Sequence, residues 1–210
     1  MPNEWVNAQH VLKYLGRADT IPHRTEGEAA VLDELTTTAR RVLDLGTGDG
    51  RLLEIVLAHC PSAQGVAVDF SDTMLEKFAQ RFAGRECIKI VRHDLSQPLP
   101  ELGQFDAVVS SFAIHHLDHP RKRALYEEVF ALLLPGGVFC NLEHVSSPSP
   151  ALHERFMTTL GYKVEDEDVS NQLLDVETQL RWLREIGFCD VDCLWKWREM
   201  ALLRGVRGED

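Results

Sequence analysis

One stretch decides the fold: Arg41-Val42-Leu43-Asp44-Leu45-Gly46-Thr47-Gly48-Asp49-Gly50-Arg51. Its apolar first half predicts a buried strand, its three alternating glycines predict a tight turn, and the residues after Gly50 predict the first turn of a helix. Glycine lets the backbone adopt conformations closed to other residues, and it lets a ligand approach the main chain without meeting a Cβ atom. The stretch therefore predicts a nucleotide-type site at a helix N-terminus.

The residues around the glycines indicate the class of ligand. A dinucleotide fingerprint, G-x-G-x-x-G, requires a third glycine where this chain has Arg51. Asp44 and Asp49 flank the glycines, and two carboxylates repel a pyrophosphate but attract an ammonium and a sulfonium. The pattern favours a cationic ligand. A glycine turn that binds no ligand is the plain alternative.

The run Val42-Leu43-Asp44-Leu45-Gly46-Thr47-Gly48-Asp49-Gly50 resembles motif I of the class I S-adenosylmethionine (SAM)-dependent methyltransferases. The resemblance includes the aspartate two residues before the first glycine, and Leu134-Pro135-Gly136-Gly137 before the fifth predicted strand adds to it. It implies SAM as cofactor and a three-layer, Rossmann-like α/β fold. The expected sheet has seven strands, mostly parallel, in the order 3-2-1-4-5-7-6 with the last strand antiparallel.

Composition narrows the classes of protein that need to be considered. The chain has 210 residues, of which 44% are hydrophobic and 26% charged, and we expect one domain over residues 1–210. A net charge of −11 argues against a broad nucleic-acid-binding face. Five cysteines without a C-x-x-C pair suit a reducing compartment. With no signal-like start and no run of 18 apolar residues, the sequence predicts a cytoplasmic protein without a membrane segment.

Further cofactor residues are expected where later strands end. Asp69 closes the predicted strand after the first helix, and a carboxylate at this point can accept both ribose hydroxyls, with Phe70 packing on the adenine. The helix that follows is expected to be capped by Ser71. The resemblance implies that Asp94 and Leu95 bind the adenine. The predicted cofactor residues are Asp44, Gly46, Thr47, Gly48, Gly50, Asp69, Phe70, Met74, Asp94, Leu95, Ser110 and Ser111.

Histidines near the fourth and fifth strand exits are candidates for a base. A methyl group on a sulfonium is already activated, so holding the acceptor in line is the main task and a base is optional. His115 is the preferred candidate, with Glu143 and His144 behind it, because a neutral imidazole can accept a proton near neutral pH. His116 and His119 can equally be packed or surface residues. Their H-H-x-x-H spacing lacks the companions of a metal motif, and we predict no metal site.

The segments before and after the matching region are expected to contribute to substrate binding. Residues 1–36 predict an N-terminal cap helix over residues 4–15, closed by Gly16, and a lead-in helix. Tyr14, His23 and Arg24 can line a pocket above the glycine turn, or can be surface residues of a connector. Residues 145–174 interrupt the strand–helix alternation, and loops at strand carboxyl ends commonly set specificity. We therefore predict a substrate-side insertion there.

The sequence favours methyl transfer to a small-molecule acceptor. Three alternatives stay open. The basic residues Arg121 to Arg123 would suit an RNA or protein methyltransferase, and Arg24 and Arg51 could hold the carboxylate of a carboxy-SAM-synthase-like enzyme. The third alternative is a SAM-binding partner protein that catalyses no reaction. Nothing in the sequence specifies an oligomeric state.

Overall fold

The structure, a computed structural model, describes residues 9, 11 and 16 and the range 21–209. The strands are β1 (Arg41–Leu45), β2 (Gln64–Asp69), β3 (Ile88–Arg92), β4 (Phe105–Ser111), β5 (Leu133–His144), β6 (Phe188–Trp197) and β7 (Met200–Arg207). The helices are α1 (Arg24–Asp33), α2 (Arg51–His59), α3 (Asp72–Arg81), α4 (His119–Leu132), α5 (Pro150–Thr159) and α6 (Val176–Ile186). Most of the cap helix expected over residues 4–15, with Tyr14, lies outside the described residues.

The seven strands form one sheet in the order β3-β2-β1-β4-β5-β7-β6. Strand β7 runs antiparallel to both β5 and β6, and the pairs among β1 to β5 are parallel. The expected Rossmann-like order and the closing antiparallel hairpin are therefore confirmed.

Helices cover both faces of the sheet, which gives three layers. On one face, apolar residues of α1, α2 and α3 pack against inward residues of β1, β2, β4 and β5, as Leu53 and Phe78 illustrate. On the other face, residues of α4 and α6 pack against the alternate residues of the same strands, as Leu125 and Leu183 illustrate. Because its central strands are buried on both faces, the sheet needs nearly continuous apolar runs such as the one in β1.

The connection from β1 to α2 follows the expected strand, glycine turn and helix. The strand order reverses at β1, because β2 pairs with one edge of β1 and β4 pairs with the other. At such a switch point the loops after the two strands separate and leave a crevice at the carboxyl end of the sheet. The fold therefore creates a cleft directly above the glycine turn.

Two local expectations differ from the structure. The sequence predicts a turn over Leu134–Gly137 before the fifth strand, but this segment belongs to β5 as an irregular stretch, because the register shifts between Phe105 and Ala107 and Gly136 adopts a φ of +76°. Ser71 precedes α3 as expected, yet its side chain makes no capping hydrogen bond. Its backbone N–H instead donates to the Asp69 carboxylate at 2.8 Å.

Candidate functional site

The cleft above the glycine turn encloses about 1040 Å³, counting the part that opens to solvent. That space is ample for a ligand of the size of SAM. Most of the predicted cofactor residues line it, namely Asp44, Gly46, Thr47, Gly48, Asp69, Phe70, Met74, Asp94, Leu95 and Ser111. Gly50 and Ser110 are not in the lining.

Asp44, the fourth residue of β1, is almost completely buried, with 1% of its surface exposed. Its Oδ2 accepts a 2.6 Å hydrogen bond from the Thr47 hydroxyl, whereas its Oδ1 has no hydrogen-bond partner among the described residues. Burial raises the pKa of Asp44 from 3.8 to about 7, and the nearby charge of Asp69 adds to the increase. A buried carboxylate oxygen that lines a cleft in this state fits a cationic group, such as the ammonium of SAM.

Asp69 is held in place by the backbone that surrounds it. Its Oδ2 accepts from the Gly48 N–H at 2.9 Å, and its Oδ1 accepts from the Ser71 N–H at 2.8 Å. Burial raises the pKa of Asp69, and these N–H groups oppose that increase. Each carboxylate oxygen keeps a second lone pair, so the fixed carboxylate can still accept from a pair of ribose hydroxyls.

The three glycines of the turn serve different needs. Each has a positive φ: +67° at Gly46, +56° at Gly48 and +85° at Gly50. A Cβ at Gly46 would overlap that of Ala113 after β4, and a Cβ at Gly50 would overlap the rings of Phe78 and Phe82. Gly48 is the roomier position, at the side of the cleft formed by Met74. Gly50 is therefore required by the packing between α2 and α3.

Ser110, like Gly50, is not in the cleft lining and makes a structural contact instead. It is fully buried, and its hydroxyl donates to the Leu45 carbonyl at 2.7 Å. The next residue, Ser111, lines the cleft instead, because side chains alternate along a strand.

The loop after β3 is fastened to α4 by Arg121. The guanidinium donates to the Leu95 carbonyl at 2.7 Å and to the Gln97 carbonyl at 2.9 Å, and it pairs with Glu128. These contacts fix the backbone at Leu95, one of the two predicted adenine-binding residues, and two residues beyond it. The position of Arg121 in the first helical turn, where a cation is disfavoured, thus has a structural reason.

Ion pairs surround the cleft on two sides. Asp49 is paired with Arg81, which also donates to Glu54 at 2.7 Å, so the charge of Asp49 is compensated. On the wall formed by α1, the carboxylate of Glu28 accepts from Arg24 at 2.9 Å and from Arg51 at 2.7 Å. This contact fixes two guanidinium groups side by side in the cleft lining, and guanidinium groups suit the carboxylate of an amino-acid moiety.

A family model described as a methyltransferase domain matches residues 42–137, the segment that builds this cleft. Residues 42–137 are therefore a methyltransferase domain, and the expected resemblance to the class I SAM-dependent methyltransferases is confirmed. Two curated relatives are demethylmenaquinone methyltransferases. The one from Clavibacter sepedonicus is 30% identical over 167 residues, which are 72% of this chain and 66% of the relative. The one from Thermus thermophilus is 33% identical over 120 residues, 56% of this chain and 53% of the relative.

A solved structure of human N-acetylserotonin methyltransferase in complex with SAM has the same fold, with a TM-score of 0.69 at 18% identity. The alignment covers 98% of this chain and 58% of that one. This chain spans between half and two thirds of the length of each of these three proteins.

The three predicted catalytic residues are not in the cleft lining: His115, Glu143 and His144 all lie outside it. His115 is buried behind the cleft with its Nδ1 2.7 Å from Glu143 Oε1, and burial lowers its pKa well below 6.5. His144 lies farther back and bonds to Glu199 at 3.0 Å. His116, for which the sequence allows a packed or a surface position, lines the cleft.

Several residues of the cleft lining are not singled out by the sequence, namely Leu52, His93, Ser96 and Leu117. Each of these four is close in sequence to a predicted site residue, which is the only signal that could have found them. Phe112 and Ala113, also in the lining, lie in the stretch from Ser110 to His115 that the sequence places near the methyl donor. Among the described residues, no group of three or more histidine, cysteine or acidic side chains is arranged to hold a metal ion. None of the helices in the described ranges has the length and apolarity to cross a bilayer.

Proposed function

We propose that this protein transfers the methyl group of SAM to a small-molecule acceptor. The observation that carries the proposal is the Asp44 carboxylate, buried in the cleft with one oxygen lacking a hydrogen-bond partner among the described residues. The ammonium of SAM supplies the missing partner, Asp69 accepts from the ribose hydroxyls, and the wall of Arg24 and Arg51 attracts the carboxylate. Asp94 and Leu95 bind the adenine between the apolar side chains of the cleft.

The division of work between cofactor and protein follows from the chemistry of the sulfonium. SAM supplies a methyl group that is already activated. The residues of this chain therefore orient the acceptor, exclude water and hold the cofactor so that the reacting atoms meet in line. The apolar part of the lining, with Phe112 and Leu117 after β4, supports an acceptor with an apolar or aromatic face.

A small acceptor is favoured over RNA because the basic cluster of α4 is used internally. Arg121 bonds to Glu128 and to two loop carbonyls, Lys122 is fully buried and donates to the Gln172 carbonyl, and Arg123 pairs with Glu185. Little of this charge is left for phosphates. The names of the two curated relatives make a demethylated menaquinol the first acceptor to test.

The test follows the label from tritiated-methyl SAM into fractionated metabolites, RNA and protein from cells of the source, with a short-chain demethylmenaquinol as a separate acceptor. We expect the label in small molecules, and its loss in Asp69→Ala. Label in RNA or protein instead, or SAM binding without transfer to any fraction, would refute the proposal. Formation of a carboxylated SAM derivative would favour the carboxy-SAM-synthase-like alternative.

A further inference from the structure

Phe112 is a strained residue in the lining of the cleft. It follows the last residue of β4, and its φ is +51°, in the left-handed region that a bulky side chain rarely adopts. The other non-glycine residues with a positive φ among those described are His23, Asp190 and Arg198, and none of these three lines the cleft. Backbone strain of this kind persists only where the surrounding structure enforces it, and it is concentrated at functional sites.

The left-handed turn changes which residues border the cleft. In an extended strand, successive side chains point to opposite sides. Ser110 and Ser111 follow this rule, since the first is fully buried and only the second lines the cleft. After the turn, Phe112 and Ala113 line the cleft as well, so three consecutive residues border the same space. The backbone of Phe112 therefore brings an aromatic residue to a wall that a continued strand would turn it away from.

Two contacts hold Phe112 in this conformation. Its N–H donates to the Leu142 carbonyl at 2.8 Å, which continues the pairing of β4 with β5 beyond Ser111. The guanidinium carbon of Arg24 lies over its ring, 5.6 Å from the centroid, within the range of a cation–π interaction. Arg24 is itself buried and donates to Glu28 at 2.9 Å. The residue is therefore held both by β5 and by α1.

The half-buried ring of Phe112 lies between the main core and the insertion of residues 145–174. It packs against the core on the side of the sheet covered by α1 and α2, and also against an apolar cluster that includes Phe156 of α5. The insertion contacts a second lining residue too, because the Nδ1 atom of His116 lies 2.9 Å from the Ser170 hydroxyl. The insertion thus borders the part of the cleft that follows β4.

The sheet order separates Phe112 from the residues assigned to the adenine. Asp94 and Leu95 lie in the loop after β3, and strands β2 and β1 stand between β3 and β4. In the function proposed above, Arg24 helps to attract the carboxylate of SAM, and its guanidinium is the group that lies over the Phe112 ring. The ring is therefore near the methionine end of the cofactor position, where the transferable methyl group is carried.

We propose, on the basis of the function proposed above, that Phe112 is a specificity-determining residue whose ring packs on a flat aromatic ring of the methyl acceptor. Aromatic pairs prefer offset-stacked or edge-to-face arrangements and gain free energy beyond that of the area they bury, so a planar aromatic acceptor is favoured over a saturated one of similar size. Ala113 and Leu117, also in the lining, add apolar contacts that require no desolvation of polar side chains.

Binding of an aromatic ring is tested without knowledge of the acceptor. The probes are 1-naphthol and decahydro-1-naphthol, which share a carbon skeleton and differ in aromaticity. In protein saturated with S-adenosylhomocysteine, NMR titration should give about fivefold tighter binding of 1-naphthol. Phe112→Leu should bring the two probes within about twofold of each other, whereas Phe112→Tyr should keep the preference. None of these three side chains is branched at Cβ, so the backbone strain at position 112 stays comparable.

Phe156→Leu is the matched control for loss of packing. Phe156 belongs to the apolar cluster that Phe112 packs against and is 2% exposed, but it is not in the cleft lining. Both leucine variants should melt at a lower temperature than the parent protein, and only Phe112→Leu should lose the preference for 1-naphthol. An equal loss in both variants would mean that Phe112 only supports the insertion. That outcome, a preference that survives Phe112→Leu, or no binding of 1-naphthol to the parent protein would each overturn the proposal.

Turnover distinguishes this proposal from the proposed function. With labelled SAM and the acceptor recovered from the small-molecule fraction, Phe112→Leu should raise the KM for that acceptor about fivefold, while kcat and the affinity for S-adenosylhomocysteine stay within about twofold of the parent values. A labelled acceptor without an aromatic ring would overturn the role of Phe112 and leave the proposed function standing. Absence of label in small molecules would count against the proposed function, while the probe titrations would still decide whether Phe112 binds an aromatic ring.

Discussion

At the scale of single residues, Asp44 links ligand binding to stability. Its pKa lies near 7 in the folded protein but near 3.8 in the unfolded chain. Between these values the folded state holds a proton that the unfolded state has lost, so raising the pH through this window destabilises the fold. The slope attributable to this group is at most about 1.4 kcal/mol per pH unit. A bound cation would favour the ionised form and reverse the loss.

The first prediction is that Asp44→Asn stabilises the ligand-free protein while it weakens cofactor binding. Asparagine keeps an oxygen for the Thr47 hydroxyl and removes the buried charge. Melting temperatures at pH 5.5 and pH 8.5 should differ more between variant and parent at the higher pH. Calorimetry should give at least about a tenfold loss of affinity for S-adenosylhomocysteine, since a charge-assisted bond disappears.

Asp49→Asn is the matched control for that experiment, because the Asp49 charge is already paired with Arg81. It should not raise the melting temperature at pH 8.5. Equal stabilisation by the two variants would mean that net charge, and not the burial of Asp44, explains the effect.

The second prediction is that Asp69→Ala weakens SAM binding by about 1–3 kcal/mol, the loss expected for hydrogen bonds to a charged acceptor. The variant should also melt lower, because the Gly48 and Ser71 N–H groups lose their acceptor. Parental affinity together with a lower melting temperature would reduce Asp69 to a residue that only braces the turn.

The sequence predicts that Asp69 and Asp94 lie at the cleft, and the structure has both in the cleft lining, because each stands at or just after the end of a recognisable strand. The sequence does not indicate that His116, and not His115, lines the cleft. The chain changes from a strand to a 3₁₀ turn between Ser111 and Ile114, and no sequence pattern shows at which residue this change occurs. The bond from His116 to Ser170 spans 54 positions, and no local pattern indicates it.

At the scale of elements, the close packing of α2 against α3 requires a glycine at position 50. Gly50 stands where a Cβ would overlap Phe78 and Phe82, and its φ is +85°. Backbone strain and steric overlap therefore act at the same residue, and a second glycine allows the two to be separated. Gly84 has a φ of +80°, and a Cβ at that position would meet no atom within 4 Å.

The third prediction compares Gly50→Ala with Gly84→Ala. Both should lose about 1 kcal/mol of stability from the left-handed backbone. Gly50→Ala should lose a further 1–3 kcal/mol, roughly, because of overpacking against the two rings. Urea unfolding gives both values, and similar losses for the two variants would show that the helices can separate at little cost.

Element boundaries agree most closely with the sequence where local chemistry marks them. Helix α2 begins at Arg51, directly after the glycine turn as expected, and α6 lies between the Asp175 cap and Gly187. The irregular start of β5 is not expected from the sequence, because the pairing of Leu133 with Phe105 is a long-range contact that overrides the turn preference of Pro135 and the glycines. Tertiary pairing decides that boundary.

At the scale of the whole molecule, the negative net charge of the chain and the negative charge in the cleft both favour a cationic cofactor over an anionic one. The net charge of −11 and the buried carboxylates of Asp44 and Asp69 both oppose a dinucleotide. The expected preference for SAM over NAD thus has a basis in the overall field as well as in individual contacts.

The fourth prediction is that the protein binds S-adenosylhomocysteine with release of a proton near pH 6.5 and binds NAD poorly. The ammonium should ionise Asp44, so affinity should rise with pH up to about 7. Calorimetry in two buffers of different ionisation enthalpy measures the proton. At 100 times the dissociation constant, the ligand should add about 2.7 kcal/mol to the free energy of unfolding. Tighter binding of NAD, or binding without proton release, would contradict this account.

The contact between Gly46 and Ala113 has a consequence for redesign of acceptor range. The two residues come from loops on opposite sides of the switch point, and they approach so closely that a side chain at position 46 would overlap the methyl group at position 113. Any substitution that enlarges residue 113 in order to reshape the acceptor pocket would push on the turn that holds the cofactor. A library built at this position would therefore select for two properties at once, and variants chosen for a new acceptor should be screened for lost cofactor affinity first.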